Sequence, residues 1–217
     1  KVLDTGSNDF IAAYSTPTNN SYMMYGYVNG YPLNALWGFK FAGVWHTQDQ
    51  IDRNKETKAY VSRASNTYKP GYAYYVDTNH DGTLNEDDLV YLGSADPIIY
   101  GGLQNTFHIY KFRVSVFFNY SLGGKIYNLS ELWMSGSSYT NQYRYMLDAW
   151  HPVRNPESNI PAAYYNDELP SSRMVYDASY FRLKNISLGY TFDLRKKTRH
   201  LRDITVSASG ENIFLWK

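Results

Sequence analysis

The sequence contains no cysteine, which excludes a disulfide framework, a thiolate metal site and a cysteine nucleophile. It has no run of about 18 apolar residues, so no transmembrane helix is predicted. The formal net charge is only +1, which provides no bulk attraction for nucleic acid. The five histidines lack zinc-type spacing, and no G-x-S-x-G, P-loop or G-x-G-x-x-G motif is present. No enzyme active site is therefore predicted.

Tyrosine is the residue type that stands out, with 23 copies in 217 residues, and aromatic residues make up 18% of the chain. A tyrosine ring is apolar while its hydroxyl is polar, so it favours half-wet surfaces such as membrane interfaces and sugar-binding walls. The mean hydropathy of −0.51 is that of a soluble protein. A barrel strand, however, turns only alternate residues towards lipid, so this mean does not exclude a membrane barrel.

Four stretches alternate between apolar and polar residues, and each is about as long as the 9–11 residues of a tilted barrel span. In the stretch 112–120, Phe112, Val114 and Val116 share one face, while Arg113 and Ser115 share the other. The other three stretches are 99–109, 180–192 and 203–216. A fifth candidate strand covers 35–45, and an early hairpin is a further candidate within 10–28.

Short and long connections alternate along the chain. Residues 110–111 predict a tight turn and residues 193–202 a short basic turn, whereas 46–97 and 128–179 are long and polar. Short turns at one rim and long loops at the other are typical of outer-membrane barrels. The alternation by itself suits the solvated sheet of a soluble β-sandwich equally well, so it leaves both architectures open.

Three segments resemble the SusC/RagA family of TonB-dependent outer-membrane transporters. They are 70–88 (PGYAYYVDTNHDGTLNEDD), 112–128 (FRVSVFFNYSLGGKIYN) and 172–192 (SRMVYDASYFRLKNISLGYTF). Two shorter runs, 149–152 (AWHP) and 206–216 (VSASGENIFLW), are similar to further motifs of that family.

This resemblance implies an all-β fold, an antiparallel transmembrane β-barrel. Residues 1–217 would supply about six to eight of roughly 22 strands, from the C-terminal part of the barrel but without its final strand. Such a subset alone would leave unpaired strand edges in lipid, so we expect a fragment of a longer polypeptide. The start of the chain also lacks the features of a signal peptide. The connections 46–97 and 128–179 would be extracellular, and the turns 110–111 and 193–202 periplasmic.

The resemblance further implies TonB-dependent import of a nutrient across the outer membrane of a Bacteroidetes-like bacterium, without enzymatic activity. The cargo would be an oligosaccharide or a peptide. The implied partners are a SusD-like surface lipoprotein, outer-membrane lipid, and the TonB–ExbB–ExbD system acting through an N-terminal plug that this sequence does not include. The alternatives are a TonB-dependent siderophore or cobalamin receptor and a soluble glycan-binding β-domain. The basic turn 193–202 is interpreted as a solvated turn and not as a nucleic-acid site.

A calcium-type loop is predicted between residues 77 and 88. Oxygen-bearing side chains at loop positions 1, 3, 5, 9 and 12, with glycine at position 6, match an EF-hand calcium loop. The expected ligands are Asp77, Asn79, Asp81, the carbonyl of Thr83, Asn85 and Asp88. Aspartate at position 12, where glutamate is usual, would coordinate the ion more weakly. The flanks 72–76 and 89–92 predict extended chain, so the structural Ca²⁺ would be held without EF-hand helices; the alternative is a solvated acidic turn.

Aromatic residues of the second long connection are candidates for contact with substrate or partner. Aromatic rings pack against the apolar faces of sugars, while neighbouring polar groups bind the hydroxyls. The candidates are Trp133, Tyr139, Tyr143, Trp150, Tyr164 and Tyr165. These rings could equally fold the connection onto itself, and the sequence leaves this choice open.

Overall fold

The computed structural model describes residues 1–4, 6, 11–14, 25–64, 67–135, 141–163, 169–195 and 202–217. The strands within these residues are β1 Ile11–Tyr14, β2 Tyr25–Tyr27, β3 Ala35–Gly38, β4 Phe41–Val44, β5 Tyr60–Val61, β6 Ala73–Val76, β7 Val90–Ser94, β8 Ile99–Ile109, β9 Phe112–Leu122, β10 Lys125–Tyr127, β11 Val175–Asp177, β12 Tyr180–Asp193 and β13 Asp203–Trp216. The α-helices are α1 Gln48–Thr57 and α2 Leu129–Met134, and short 3₁₀ helices cover Glu86–Asp88, Arg144–Asp148 and Ser172–Met174.

Four strands have the length predicted for membrane spans. β8 and β9 have 11 residues each and β12 and β13 have 14, and they coincide with the four alternating stretches. The remaining strands of the described chain have two to five residues. Among these short strands, β5, β6, β7 and β11 lie within the long polar connections 46–97 and 128–179.

Both α-helices lie within the long connections. α1 begins after Thr47, whose side chain accepts a hydrogen bond from the Gln50 N–H, and ends at Lys58 in a left-handed conformation. Its buried side is formed by Ile51 and Asn54. Neither α1 nor α2, the α-helices of the described ranges, is long and apolar enough to cross a membrane.

The chain divides into two compact units, and the second comprises residues 96–125 and 177–217. It contains one antiparallel sheet with the strand order β13-β12-β9-β8. The predicted tight turn is present, because Ile109 pairs with Phe112 across Tyr110 and Lys111. Residues paired across the four strands form rows that alternate in polarity. The apolar row contains Phe107, Val114, Leu188 and Ala208. The neighbouring polar row contains Thr106, Ser115, Ser187 and Ser209.

The apolar face of this sheet is open to the surroundings. Phe107, Leu188 and Val206 are 51%, 49% and 60% exposed. A soluble sandwich buries such a face against a second sheet, whereas a barrel wall turns it towards lipid. The two faces predicted from alternation are therefore confirmed in register as well as in composition.

A pair of β-bulges interrupts this alternation at one level of the sheet. Between Leu183 and Asn185, Lys184 is an extra residue opposite β9, and Asn212 and Ile213 together oppose it on β13. Asn212 has a φ of 52°, in the left-handed region. The extra residue reverses which alternate positions of β12 lie on the apolar face. Leu183 therefore pairs with the apolar Phe118 on one side of the bulge, as Ile186 pairs with Val116 on the other side.

The first unit comprises residues 1–95 and 126–176, and it contains the sheets β1-β2-β3-β7 and β4-β6-β5. β1 and β2 form the antiparallel pair expected from the early hairpin, although residues 15–24 lie outside the described chain. A short pairing of β10 with β11 adds a further two-stranded sheet.

The prediction of one strand over 35–45 was wrong. β3 and β4 belong to different sheets, and between them Phe39 pairs with the segment around Ser171. The Phe39 N–H donates to the Pro170 carbonyl, and the Ser172 N–H donates to the Phe39 carbonyl. A side chain at Gly38 would place its Cβ 3.0 Å from that Pro170 carbonyl oxygen, so this close approach depends on glycine. The partner segment is more than 130 residues away, and local alternation carries no sign of it.

The core of the first unit joins the two long connections. One cluster packs Phe39, Ala73 and Tyr75 against Leu169, and another packs Val44 against Trp150 and Ala162. Backbone hydrogen bonds add to this contact, since the Ala162 N–H donates to the Gly71 carbonyl at 2.9 Å. Residues 46–95 and 128–176, which make up nearly all of the two long connections, are thus parts of one folded unit. The extracellular placement of these connections stays a prediction.

Residue 212 offers a test of the bulge. Asn212→Gly is expected to leave barrel stability unchanged or slightly raised, because glycine adopts a positive φ without strain. Asn212→Val is expected to cost about 1–2 kcal/mol, because a β-branched side chain clashes in the left-handed region. The temperature at which the full-length receptor loses its compact, heat-modifiable band on a detergent gel would measure the difference.

Ser209→Val, on the same strand but in extended conformation, is the matched control and is expected to behave like the wild type. Equal melting of the Asn212→Val and Ser209→Val variants would contradict the bulge.

Candidate functional site

The predicted calcium-type loop follows β6 directly, and its first and last aspartates are completely buried. The Asp77 carboxylate accepts hydrogen bonds from the His80 N–H at 2.7 Å and the Gly82 N–H at 2.8 Å. The Asp88 carboxylate accepts from the Thr78 N–H at 2.7 Å and the Asn85 N–H at 3.1 Å. These two carboxylates therefore hold the loop closed through its own backbone.

The middle of the loop is exposed and is organised around Asp81. The Thr83 N–H and hydroxyl each donate to Asp81 Oδ1 at 2.7 Å. The side-chain amides of Asn79 and Asn85 each donate to Asp81 Oδ2 at 2.9 Å. The Thr83 hydroxyl and amide are the main reason that the pKa of Asp81 is lowered to about 2, so this group is a carboxylate at neutral pH.

The backbone of the loop has the turns that the motif requires. His80 and Gly82 adopt positive φ values of 59° and 82°, and Gly82 stands at the position where the motif predicts glycine. The flanks are extended, as predicted, in β6 and β7. Leu84 packs against the cluster that contains Tyr75, and this contact attaches the loop to the core.

The donor set of this loop fits a hard divalent cation in composition. Within the described residues, no three His, Asp or Glu side chains are gathered closely enough to hold a metal by themselves. The predicted set, however, combines three carboxylates with the amide oxygens of Asn79 and Asn85 and a backbone carbonyl, a mixture that Ca²⁺ accepts. Buried carboxylates are costly unless a positive charge balances them. Asp77 and Asp88 have no ion-pair partner in the part of the chain that the structure describes.

The predicted aromatic set is only partly placed by the structure. Tyr139, Tyr164 and Tyr165 lie outside the described residues, as does the side chain of Trp133. Tyr143 stacks on Tyr145 with ring centroids 5.6 Å apart and an interplanar angle of 13°. Trp150 is buried and packs with Val44 and Ala162. Its position fits the interpretation in which a ring folds the connection, while Tyr143 is partly exposed and accessible to a ligand.

A buried carboxylate that the sequence did not single out supports this aromatic pair. Glu131 on α2 accepts hydrogen bonds from the hydroxyls of Tyr145 at 2.7 Å and Tyr176 at 2.5 Å, and from the Asn128 amide. Partial desolvation, followed by the hydrogen bond to Glu131, raises the pKa of Tyr176 to about 12. Only the Asn128–Glu131 spacing is local. The two tyrosines lie 14 and 45 residues from Glu131, so no sequence pattern could have indicated the network.

Comparison with known proteins places the chain among receptors. No protein-family model matches the sequence. TonB-dependent receptor P26 of Formosa agariphila is 31% identical over 225 residues, which cover 100% of this chain and 21% of that protein. TonB-dependent receptor P3 of the same organism is 30% identical over 186 residues, which cover 85% of this chain and 18% of that protein.

Solved structures show the same fold. The RagAB peptide transporter superimposes with a TM-score of 0.69 at 18% identity, over 94% of this chain and 20% of the other. The RagAB peptide importer in its open-open state gives a TM-score of 0.68 at 19% identity, again over 94% and 20%. The chain thus spans about one fifth of the length of each of these relatives. It belongs to the SusC/RagA-type TonB-dependent receptors, as a segment of their antiparallel transmembrane β-barrel.

Proposed function

We propose that the receptor containing this segment imports a nutrient across the bacterial outer membrane in a TonB-dependent manner. The similarity to TonB-dependent receptors over the whole chain carries this proposal. The open apolar face of the β13-β12-β9-β8 sheet supports it, because it suits a wall in lipid. The segment would contribute barrel wall and two long connections and would perform no bond chemistry.

The proposed cargo is an oligosaccharide, with a peptide as the second candidate because the RagAB structures are described as those of a peptide transporter or importer. The proposed partners are a SusD-like surface lipoprotein, which would cover the external connections, and TonB–ExbB–ExbD, which would act on a plug. The fold likeness to RagAB favours this system over a siderophore or cobalamin receptor, and the receptor relatives favour it over a soluble glycan-binding domain.

Uptake by cells tests the proposal. Cells producing the full-length receptor should accumulate a fluorescent oligosaccharide or a fluorescent peptide, and deletion of TonB should abolish that accumulation because the energy for import is lost. The receptor should also retain a surface lipoprotein during affinity purification. Uptake that is unchanged without TonB would refute energised import, and uptake only of an iron–siderophore complex would favour the rival receptor class.

We propose further that the loop from Asp77 to Asp88 binds a structural Ca²⁺ ion. The two buried carboxylates support this, since a cation would balance their charge while the backbone N–H groups continue to orient them. The ligands would be Asp77, Asn79, Asp81, the Thr83 carbonyl, Asn85 and Asp88. The ion would brace the loop between β6 and β7, inside the long connection 46–97, without taking part in chemistry.

Calcium titration of the full-length receptor in detergent, after treatment with a chelator, tests this site. Calorimetry should show a dissociation constant on the order of 10⁻⁴–10⁻³ M, the range of calcium sites in extracellular modules. Asp77→Asn should weaken it about tenfold or more, because the first ligand loses its charge. Asp148→Asn removes an exposed carboxylate outside the loop and should leave binding unchanged.

Hydrogen exchange of residues 77–88 without calcium checks that Asp77→Asn has not unfolded the loop. No binding heat in the wild type at millimolar calcium would refute the site, as would equal binding by the Asp77→Asn variant.

A further inference from the structure

A small cavity in the first unit belongs to neither of the predicted sites. Its volume is about 220 Å³, and its walls include Trp45, Gln50, Arg53, Tyr60 and Tyr74. Pockets for drug-sized ligands are typically about 300–1,000 Å³, so this cavity has room for a single ring and not for a long chain. All but Trp45 of these five residues lie in the range 46–97, which the sequence predicts to be extracellular.

One wall of the cavity is aromatic and firmly held. The ring centroids of Trp45 and Tyr74 lie 4.2 Å apart, with an interplanar angle of 30°. The ring centroid of Tyr60 lies 5.0 Å from that of Tyr74. Trp45 is buried, and its indole N–H donates to the Ser62 hydroxyl at 2.8 Å. Tyr74 lies against the backbone at Gly43, where an added Cβ would come within 2.8 Å of its hydroxyl. Tyr60 is 39% exposed, so the outer part of this wall is open to a ligand.

The opposite wall is polar and comes from α1. Gln50 Oε1 accepts a hydrogen bond from the His46 N–H at 2.8 Å, which leaves its amide nitrogen to donate elsewhere. Arg53 makes no ion pair within the described residues, although Asp49 and Glu56 lie four residues before it and three after it on the same helix. Its guanidinium N–H groups are therefore available beside the aromatic wall.

Asn54 fixes the two walls relative to each other. Its side-chain amide donates to the Tyr60 carbonyl at 2.7 Å, and its amide oxygen accepts from the Tyr60 N–H at 3.1 Å. This clamp holds the backbone of β5 to α1 and does not involve the Tyr60 ring. The cavity is therefore formed before a ligand arrives, which lowers the entropic cost of binding.

We propose that this cavity is a subsite for one sugar ring of an oligosaccharide. The apolar face of the ring would pack on Tyr60 and Tyr74, and its hydroxyls would accept hydrogen bonds from Arg53 and Gln50. Binding of an extended peptide by strand addition is disfavoured here, because the neighbouring edge strand β5 has only two residues. Sugar binding is inferred from the walls of the cavity. Only the further step, that this sugar is part of the imported cargo, rests on the proposed import function.

Binding to the purified full-length receptor tests the subsite without any need for transport. The probes are hexasaccharides of glucose, mannose, galactose and galacturonate and one neutral hexapeptide, each titrated by calorimetry. At least one hexasaccharide should bind, Tyr60→Ala should weaken it about tenfold, and Arg53→Gln should weaken it by a similar factor. Tyr60→Phe should bind like the wild type, because stacking needs the ring and not the hydroxyl.

Tyr91→Ala is the matched control, since Tyr91 is 40% exposed and lies on a different sheet. Exchange of the Tyr60 amide should stay slow in Tyr60→Ala, because the Asn54 clamp uses only backbone atoms of residue 60. The subsite is refuted if no hexasaccharide binds at millimolar concentration, if Tyr60→Ala binds as tightly as Tyr91→Ala, or if only the hexapeptide is bound. Loss of TonB-dependent uptake with normal sugar binding would instead count against the import proposal alone.

Discussion

The first unit depends on the contacts of one buried side chain, that of Tyr75. Its ring packs with Phe39, Ala73 and Leu169, and its hydroxyl accepts a hydrogen bond from the Leu169 N–H at 3.1 Å. Leu169 lies 94 residues further along the chain, in the other long connection. The Tyr75 side chain therefore joins the two connections by apolar packing and by a hydrogen bond. A buried N–H left without an acceptor would cost about 1–3 kcal/mol, which makes a tyrosine here more favourable than a phenylalanine.

β6 links this core to both proposed sites because successive residues of a strand face opposite ways. Tyr75 faces the core, Tyr74 faces the aromatic cavity, and Asp77 follows the end of the strand as the first residue of the calcium-type loop. Leu84 returns from that loop to the Tyr75 cluster. A cation in the loop and a sugar on Tyr74 would therefore both act on one strand whose position the core has already set.

The sheet of the second unit shows how a weak sequence signal becomes a decisive structural one. Alternation within a single strand suits a soluble sheet and a barrel wall equally. Four strands in register, with apolar residues in one row and polar residues in the next, leave a continuous apolar face that is about half exposed. The bulge at Lys184 shifts the register of β12 against both β9 and β13. Apolar residues of β12 therefore stay on the apolar face on both sides of the bulge.

The sequence by itself determined the features that depend on local spacing: the four spans, the tight turn at 110–111, the family resemblance and the turns of the Asp77–Asp88 loop. These features could be predicted because strand alternation and calcium-loop geometry each depend on the spacing of residues within about a dozen positions. Tertiary structure alone decided that the candidate strand over 35–45 is divided at Phe39, that Trp150 is a core residue, and that Glu131 binds Tyr145 and Tyr176. It also brought Trp45, Arg53, Tyr60 and Tyr74 around one cavity. Such contacts join segments that are distant in sequence, and their partners are selected by packing, which no local pattern records.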